Sequence, residues 1–69
     1  MIIKRAVTKD GNHSIQLDKV NDCDYRITET TCGVCTAQGK RDTYYRAILE
    51  YNRRISASVA YNDINYKDI

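Results

Sequence analysis

From Asp42 to Asn62 apolar residues recur at helical spacing. At about 100° per residue, Tyr44, Ile48, Tyr51, Ile55 and Val59 fall on one narrow stripe, with Arg46, Glu50 and Arg53 on the other side. Tyr45, Ala47, Leu49 and Tyr51 also alternate as a strand would, but the stripe runs for about five turns, longer than most strands. The spacing therefore predicts one amphipathic helix over about 42–62. Asp42 or Thr43 is the natural N-cap and Asn62 a fair stop. On its surface Glu50 can pair with Arg54, and Arg46 with Glu50, each worth about a few tenths of a kcal/mol.

Ahead of the helix the period changes to two. Ile2 to Thr8 is rich in β-branched residues and reads as a first strand. Asp10-Gly11 follows, a two-residue hairpin signal whose central positions both call for positive φ. Ser14 to Val20 alternates with Ile15 and Leu17 on one side, Asn21-Asp22 is a second turn, and in the third strand Cys23, Tyr25 and Ile27 share a face. Residues 29–41 fit either a fourth short strand or a turn-rich connection, because Gly33 and Gly39 interrupt a run of threonines and Val34. Residues 63–69 read as a frayed tail or a short edge strand in which Ile64 and Tyr66 share parity. The expectation is an α+β fold: a meander of three to four antiparallel strands with one helix packed across its apolar face, all within a single small domain spanning 1–69.

Composition narrows this picture. A chain of 69 residues has room for one small core. Phe, Trp and Pro are absent, so six tyrosines supply the aromatic bulk, each with a hydroxyl that needs water or a partner. The bias towards Asn, Asp, Ile, Lys and Tyr suits an AT-rich genome of the kind many phages and mobile elements carry. The first residues carry charge at positions 4 and 5 and form no secretory apolar run, and no stretch approaches the ~20 apolar residues of a membrane span. A cytoplasmic location with reduced thiols is expected.

Net charge is +2, and its distribution matters more than the sum. Basic and acidic residues cancel over 1–39, residues 40–54 carry +3, and residues 55–69 carry −1. Lys40, Arg41, Arg46, Arg53 and Arg54, interleaved with Tyr44 and Tyr45, could hold phosphates and stack bases. Against this, Glu50 sits among the arginines and the excess is small for a dedicated nucleic-acid binder.

Cys32-Gly33-Val34-Cys35 is the sharpest chemical motif. Two thiolates at this spacing can chelate zinc, with Cys23 and His13 the candidates to complete a Cys₃His site. His13 and Cys23, however, flank strand two at opposite ends, about 20 Å apart at ~3.3 Å per residue. Zinc at this motif, within one chain or shared between two, therefore ranks below three simple reduced thiols. A disulfide-exchange role needs a thiolate at a helix N-terminus, and residues 36–40 separate Cys35 from the helix. His13 and Ser14 are strand neighbours facing opposite sides, no carboxylate pair is placed for acid–base work, and Gly11, Gly33 and Gly39 are too dispersed for a phosphate loop. The chain does not read as an enzyme.

Two functions survive. The first is a small non-catalytic regulator, such as a phage- or mobile-element-borne inhibitor, that occupies a surface of a larger protein or nucleoprotein. Its contacts would be Tyr45, Arg46, Arg53, Arg54 and Tyr61, with an exposed strand edge that could also pair two copies. The second is a nucleic-acid-binding module using Lys40, Arg41, Arg46, Arg53 and Arg54, with zinc at the cysteine pair as an added staple.

Overall fold

A computed structural model describes residues 1–62 and 64–68, with the side chains of residues 61, 62 and 68 outside the description. Five strands form one antiparallel sheet: β1 (Ile2–Thr8), β2 (His13–Asn21), β3 (Asp24–Thr31), β4 (Val34–Arg41) and β5 (Tyr66–Asp68). One helix, α1 (Tyr44–Asn62), separates β4 from β5. The spatial order is β4-β3-β2-β1-β5. The first four strands are the expected meander. Residues 29–41 resolve into the end of β3, a turn and a full fourth strand; of the two readings of residues 63–69 the edge strand is met at Tyr66–Asp68, with residues 63 and 69 outside the described residues, and it adds a fifth strand to the expected three or four, paired with β1 through Thr8↔Tyr66.

The alternation of each strand places its apolar residues beneath the helix. Ala6 lies opposite Ile15 and Leu17 opposite Ile27, so inward positions meet across the ladder. These residues, with Tyr25 from β3 and Ala47 and Tyr51 from α1, form the buried core, and Ile3, Ile48, Ile55 and Tyr66 pack around it. Gln16, Thr28, Gln38 and Lys40 occupy the intervening positions, leaving the far face polar.

The helix is rotated relative to its apolar stripe. Burial is complete at Ala47 and Tyr51 and nearly so at Ser58, while Tyr44 and Val59 are exposed. The contact arc is thus turned by about 60° at 100° per residue, towards Glu50 and Arg54. Tyr44 lies at the helix start and meets Tyr25 only edge-on, with ring centroids 6.1 Å apart. The hydroxyl of Thr43 accepts the Arg46 amide at 3.2 Å, which makes Thr43 the N-cap.

The turns also differ from expectation. At Asp10-Gly11 only Gly11 has positive φ, at 75°. The Asp10 carboxylate instead organises a longer loop by accepting the Thr8 hydroxyl at 2.6 Å and the Asn12 amide at 3.0 Å. These hydrogen bonds hold its carboxyl below the usual range. In the second turn Asn21 Oδ1 accepts the amide of Cys23, so Cys23 is an exposed turn residue rather than an inward strand residue. The turn with two positive φ values is Cys32-Gly33, at 52° and 82°, between the paired residues Thr31 and Val34. That is the signature of a type I′ hairpin. The suspected metal-binding motif is, in backbone terms, the tip of the β3–β4 hairpin.

Candidate binding surface on the helix

The inner flank of α1 is tied to the sheet by a chain of ion pairs. Arg54 donates to Glu29 of β3 at 2.6 Å through Nη1 and to Glu50 at 3.0 Å through Nε. The other oxygen of Glu50 lies 3.2 Å from Nη2 of Arg41 at the end of β4. Glu50 therefore pairs with Arg54 as expected, but with Arg41 instead of Arg46. Gly39 makes room for this arrangement, because a Cβ there would come within 2.8 Å of Arg54 Nη2. The Arg54 side chain is only 21% exposed. Arg54 is committed to holding the helix down, and its charge and that of Arg41 are matched within the molecule.

What remains on the outer arc is different in character. Tyr45 is 70% exposed and Leu49, one turn further on, 43%. Arg53 is exposed and belongs to none of the ion pairs among the described residues. Arg46 approaches Asp42 at 3.8 Å with both side chains nearly 70% exposed, a contact that water screens to little value. A shallow cleft of about 200 Å³ lies where the helix meets the end of β4, lined by Arg41, Arg46, Leu49, Glu50 and Arg53. Tyr61 belongs to the last turn of α1, but its side chain lies outside the described residues. Leu49 escaped the sequence reading although its signal was present: an apolar residue on the polar side of the stripe.

The five cations of the nucleic-acid alternative do not share one surface. Arg41 is paired with buried Tyr25 and faces the helix, so its neighbour Lys40, opposite Arg26, faces the far side of the sheet. Lys40 is thereby separated from Arg46 and Arg53 by the sheet itself.

The three thiols are free and exposed. Cys32 and Cys35 sit at the hairpin tip, beside His13, whose Nδ1 is 3.1 Å from the Thr31 hydroxyl. Cys23 lies at the other end of strands β2 and β3. Among the described residues, no three His, Cys, Asp or Glu side chains are grouped to hold a metal ion. A second concavity of about 640 Å³, at the loop between β1 and β2, is lined by Thr8, Lys9, Asp10, His13, Ile64 and Asn65. Its polar groups are largely engaged: the Thr8 hydroxyl accepts the His13 amide and donates to Asp10, and Asp10 also accepts from Asn12. No helix among the described residues is long and apolar enough to cross a membrane. The chain matches no protein-family model, no curated protein and no solved structure.

Proposed function

We propose that this is a small non-catalytic binding protein that acts by occupying a surface of a larger protein or nucleoprotein partner, with the outer arc of α1 as its contact. The observation that carries the reading is the cluster Tyr45, Arg46, Leu49 and Arg53. Two large apolar side chains one turn apart are flanked by two arginines outside the network that secures the helix. Tyr and Arg are the residue types that concentrate binding energy in protein interfaces. They stand here on a helix anchored by its other side, so little ordering entropy remains to be lost on association. Occlusion by so small a body suits a phage- or mobile-element-borne inhibitor. The separation of Lys40 from the helix arginines leaves the nucleic-acid reading with less support.

The test is the double variant Arg46→Glu/Arg53→Glu. Tagged wild-type and variant protein are used as bait in nuclease-treated lysate of cells that carry the gene. A stoichiometric protein partner held by the wild type and lost by a variant with an unchanged circular dichroism spectrum supports the proposal. Unchanged capture by the variant removes the helix as the interface, and capture that vanishes with nuclease turns the reading to nucleic acid.

A further inference from the structure

The cleft beside α1 adjoins the open edge of β4. β3 is the one neighbour of β4 in the sheet, so every second backbone N–H and C=O along β4 points outward. The register from Ala37 to Arg41 is regular, with partners running from Glu29 to Tyr25, whereas the irregularity that blunts an edge is confined to the hairpin end near Thr36. Above this regular stretch the ion pairs to Glu29 and Arg41 fix the helix. Its Arg46 and Arg53 flank, on the far side of Glu50, closes with Leu49 and Arg41 around the cleft at the Arg41 end of that edge.

We propose that the groove between the β4 edge and α1 takes an extended acidic segment of the partner by strand addition. This rests on the binding-protein reading and names the partner's local chemistry. Backbone groups of Ala37–Arg41 pair with the added strand, and alternate side chains of that strand turn up towards Arg46, Leu49 and Arg53. Charge identifies the occupant. Arg41 is matched by Glu50, whose other oxygen takes Arg54, and Lys40 lies on the far face, but Arg46 and Arg53 line the roof: Arg46 meets the exposed Asp42 only at 3.8 Å, and Arg53 belongs to none of the ion pairs among the described residues. Carboxylates on the incoming strand meet the unpaired Arg53 and the weakly engaged Arg46, and an apolar residue between them meets Leu49. A second copy pairing through its own β4 would bring no carboxylate to these arginines.

The probe is a fluorescein-labelled six-residue peptide with glutamate, valine and glutamate at its first, third and fifth positions and threonine at the others, so that one strand face carries two carboxylates flanking an apolar residue, titrated into the intact protein by anisotropy and by ¹⁵N-resolved NMR. Two counterparts accompany it, one with lysine for glutamate and one with every backbone amide methylated. Binding of the acidic peptide at least about tenfold tighter than either counterpart is expected, as is about tenfold weakening by Arg53→Glu, the scale of one lost charge contact. Amide shifts should cluster on residues 37–41 and the adjoining helix flank. Equal binding of the methylated peptide, or shifts elsewhere, would overturn strand addition. Concentration-dependent dimerisation with broadening of the β4 amides in the absence of peptide would replace the acidic segment with a second copy. Failure of the peptide to bind, while Arg46→Glu/Arg53→Glu still abolishes partner capture, would overturn the groove and leave the binding-protein reading standing. Peptide binding with capture indifferent to that charge reversal would do the opposite.

Discussion

Gly39→Ala is the substitution whose outcome discriminates most sharply between a helix held by packing alone and one held by the Arg54 network. In a solvent-exposed strand, adding a methyl group to glycine stabilises by about 0.5–1 kcal/mol, because the unfolded chain loses freedom. Here the new Cβ would lie 2.8 Å from Nη2 and 3.6 Å from Cζ of Arg54. The guanidinium cannot step aside without stretching its 2.6 Å bond to Glu29 or its 3.0 Å bond to Glu50. A charge-assisted bond in a half-buried site is worth about 1.5–3 kcal/mol, so the net effect is a loss of about 1–2 kcal/mol. For a domain of this size that corresponds to a fall in Tm of about 4–15 °C. The control is the same substitution beside Arg54→Ala, where the obstructing group is gone and Gly39→Ala should turn neutral or stabilising. Urea melts of the four proteins, followed by far-ultraviolet circular dichroism, give the coupling directly. Equal effects of Gly39→Ala in the two backgrounds would refute the reasoning.

Cys32 adopts positive φ without being glycine or asparagine, so Cys32→Asn should raise stability by about 0.5–1 kcal/mol in calorimetry, by supplying the asparagine–glycine pair that type I′ turns favour. Gly33→Ala at φ 82° should cost about 1–2 kcal/mol through the backbone alone, since nothing lies within 4 Å of the added carbon. Thr43→Ala should cost about 1 kcal/mol by removing the cap on the Arg46 amide, read from the same melts. The lowered pKa of Asp10 means the folded state binds its proton less readily than the unfolded chain. Its stabilising contribution is present above the ordinary carboxylate pKa and is lost as pH falls through the folded value. Asp10→Asn should therefore flatten the acid limb of a stability–pH profile below about pH 4.

The elements were legible where one period dominated. β1 could be read from β-branched content, and α1 from a stripe too long for a strand. The rotation of α1 was not legible, because the stripe favours Tyr44 and Val59 for their size. The sheet instead selects small Ala47 and Ser58 for close approach and draws Arg54 inward to meet Glu29, a partner 25 residues away that no local spacing reveals. The two hairpin signals were exchanged for a related reason. Asp10-Gly11 has the favoured turn composition, but its carboxylate finds Thr8 and Asn12 and stabilises a wider loop, while Cys32, whose spacing to Cys35 resembles a ligand pair, serves as a turn residue. Of the interface proposed from sequence, Tyr45, Arg46 and Arg53 stand exposed and Arg54 is tied down, while Leu49 joins it because the rotation of α1 turns that residue outward.

The placement of β5 also orders the events of folding. The pairs β1–β2, β2–β3 and β3–β4 each close over a short turn, so they can zip in sequence at little loop-closure cost. The β1–β5 ladder joins segments from nearly opposite ends of the chain and has only three partners to offer in return. It gains little until α1 has crossed the sheet and delivered the tail, so contact order predicts that the meander forms early and that β1 waits longest for its second neighbour. During that interval the strand carrying Ala6 presents the same kind of open ladder that β4 keeps for good. Once docked, β5 covers β1 only at Ala6–Thr8, so among the described residues Ile2–Arg5 keep an open side in the finished molecule, as β4 does along its length.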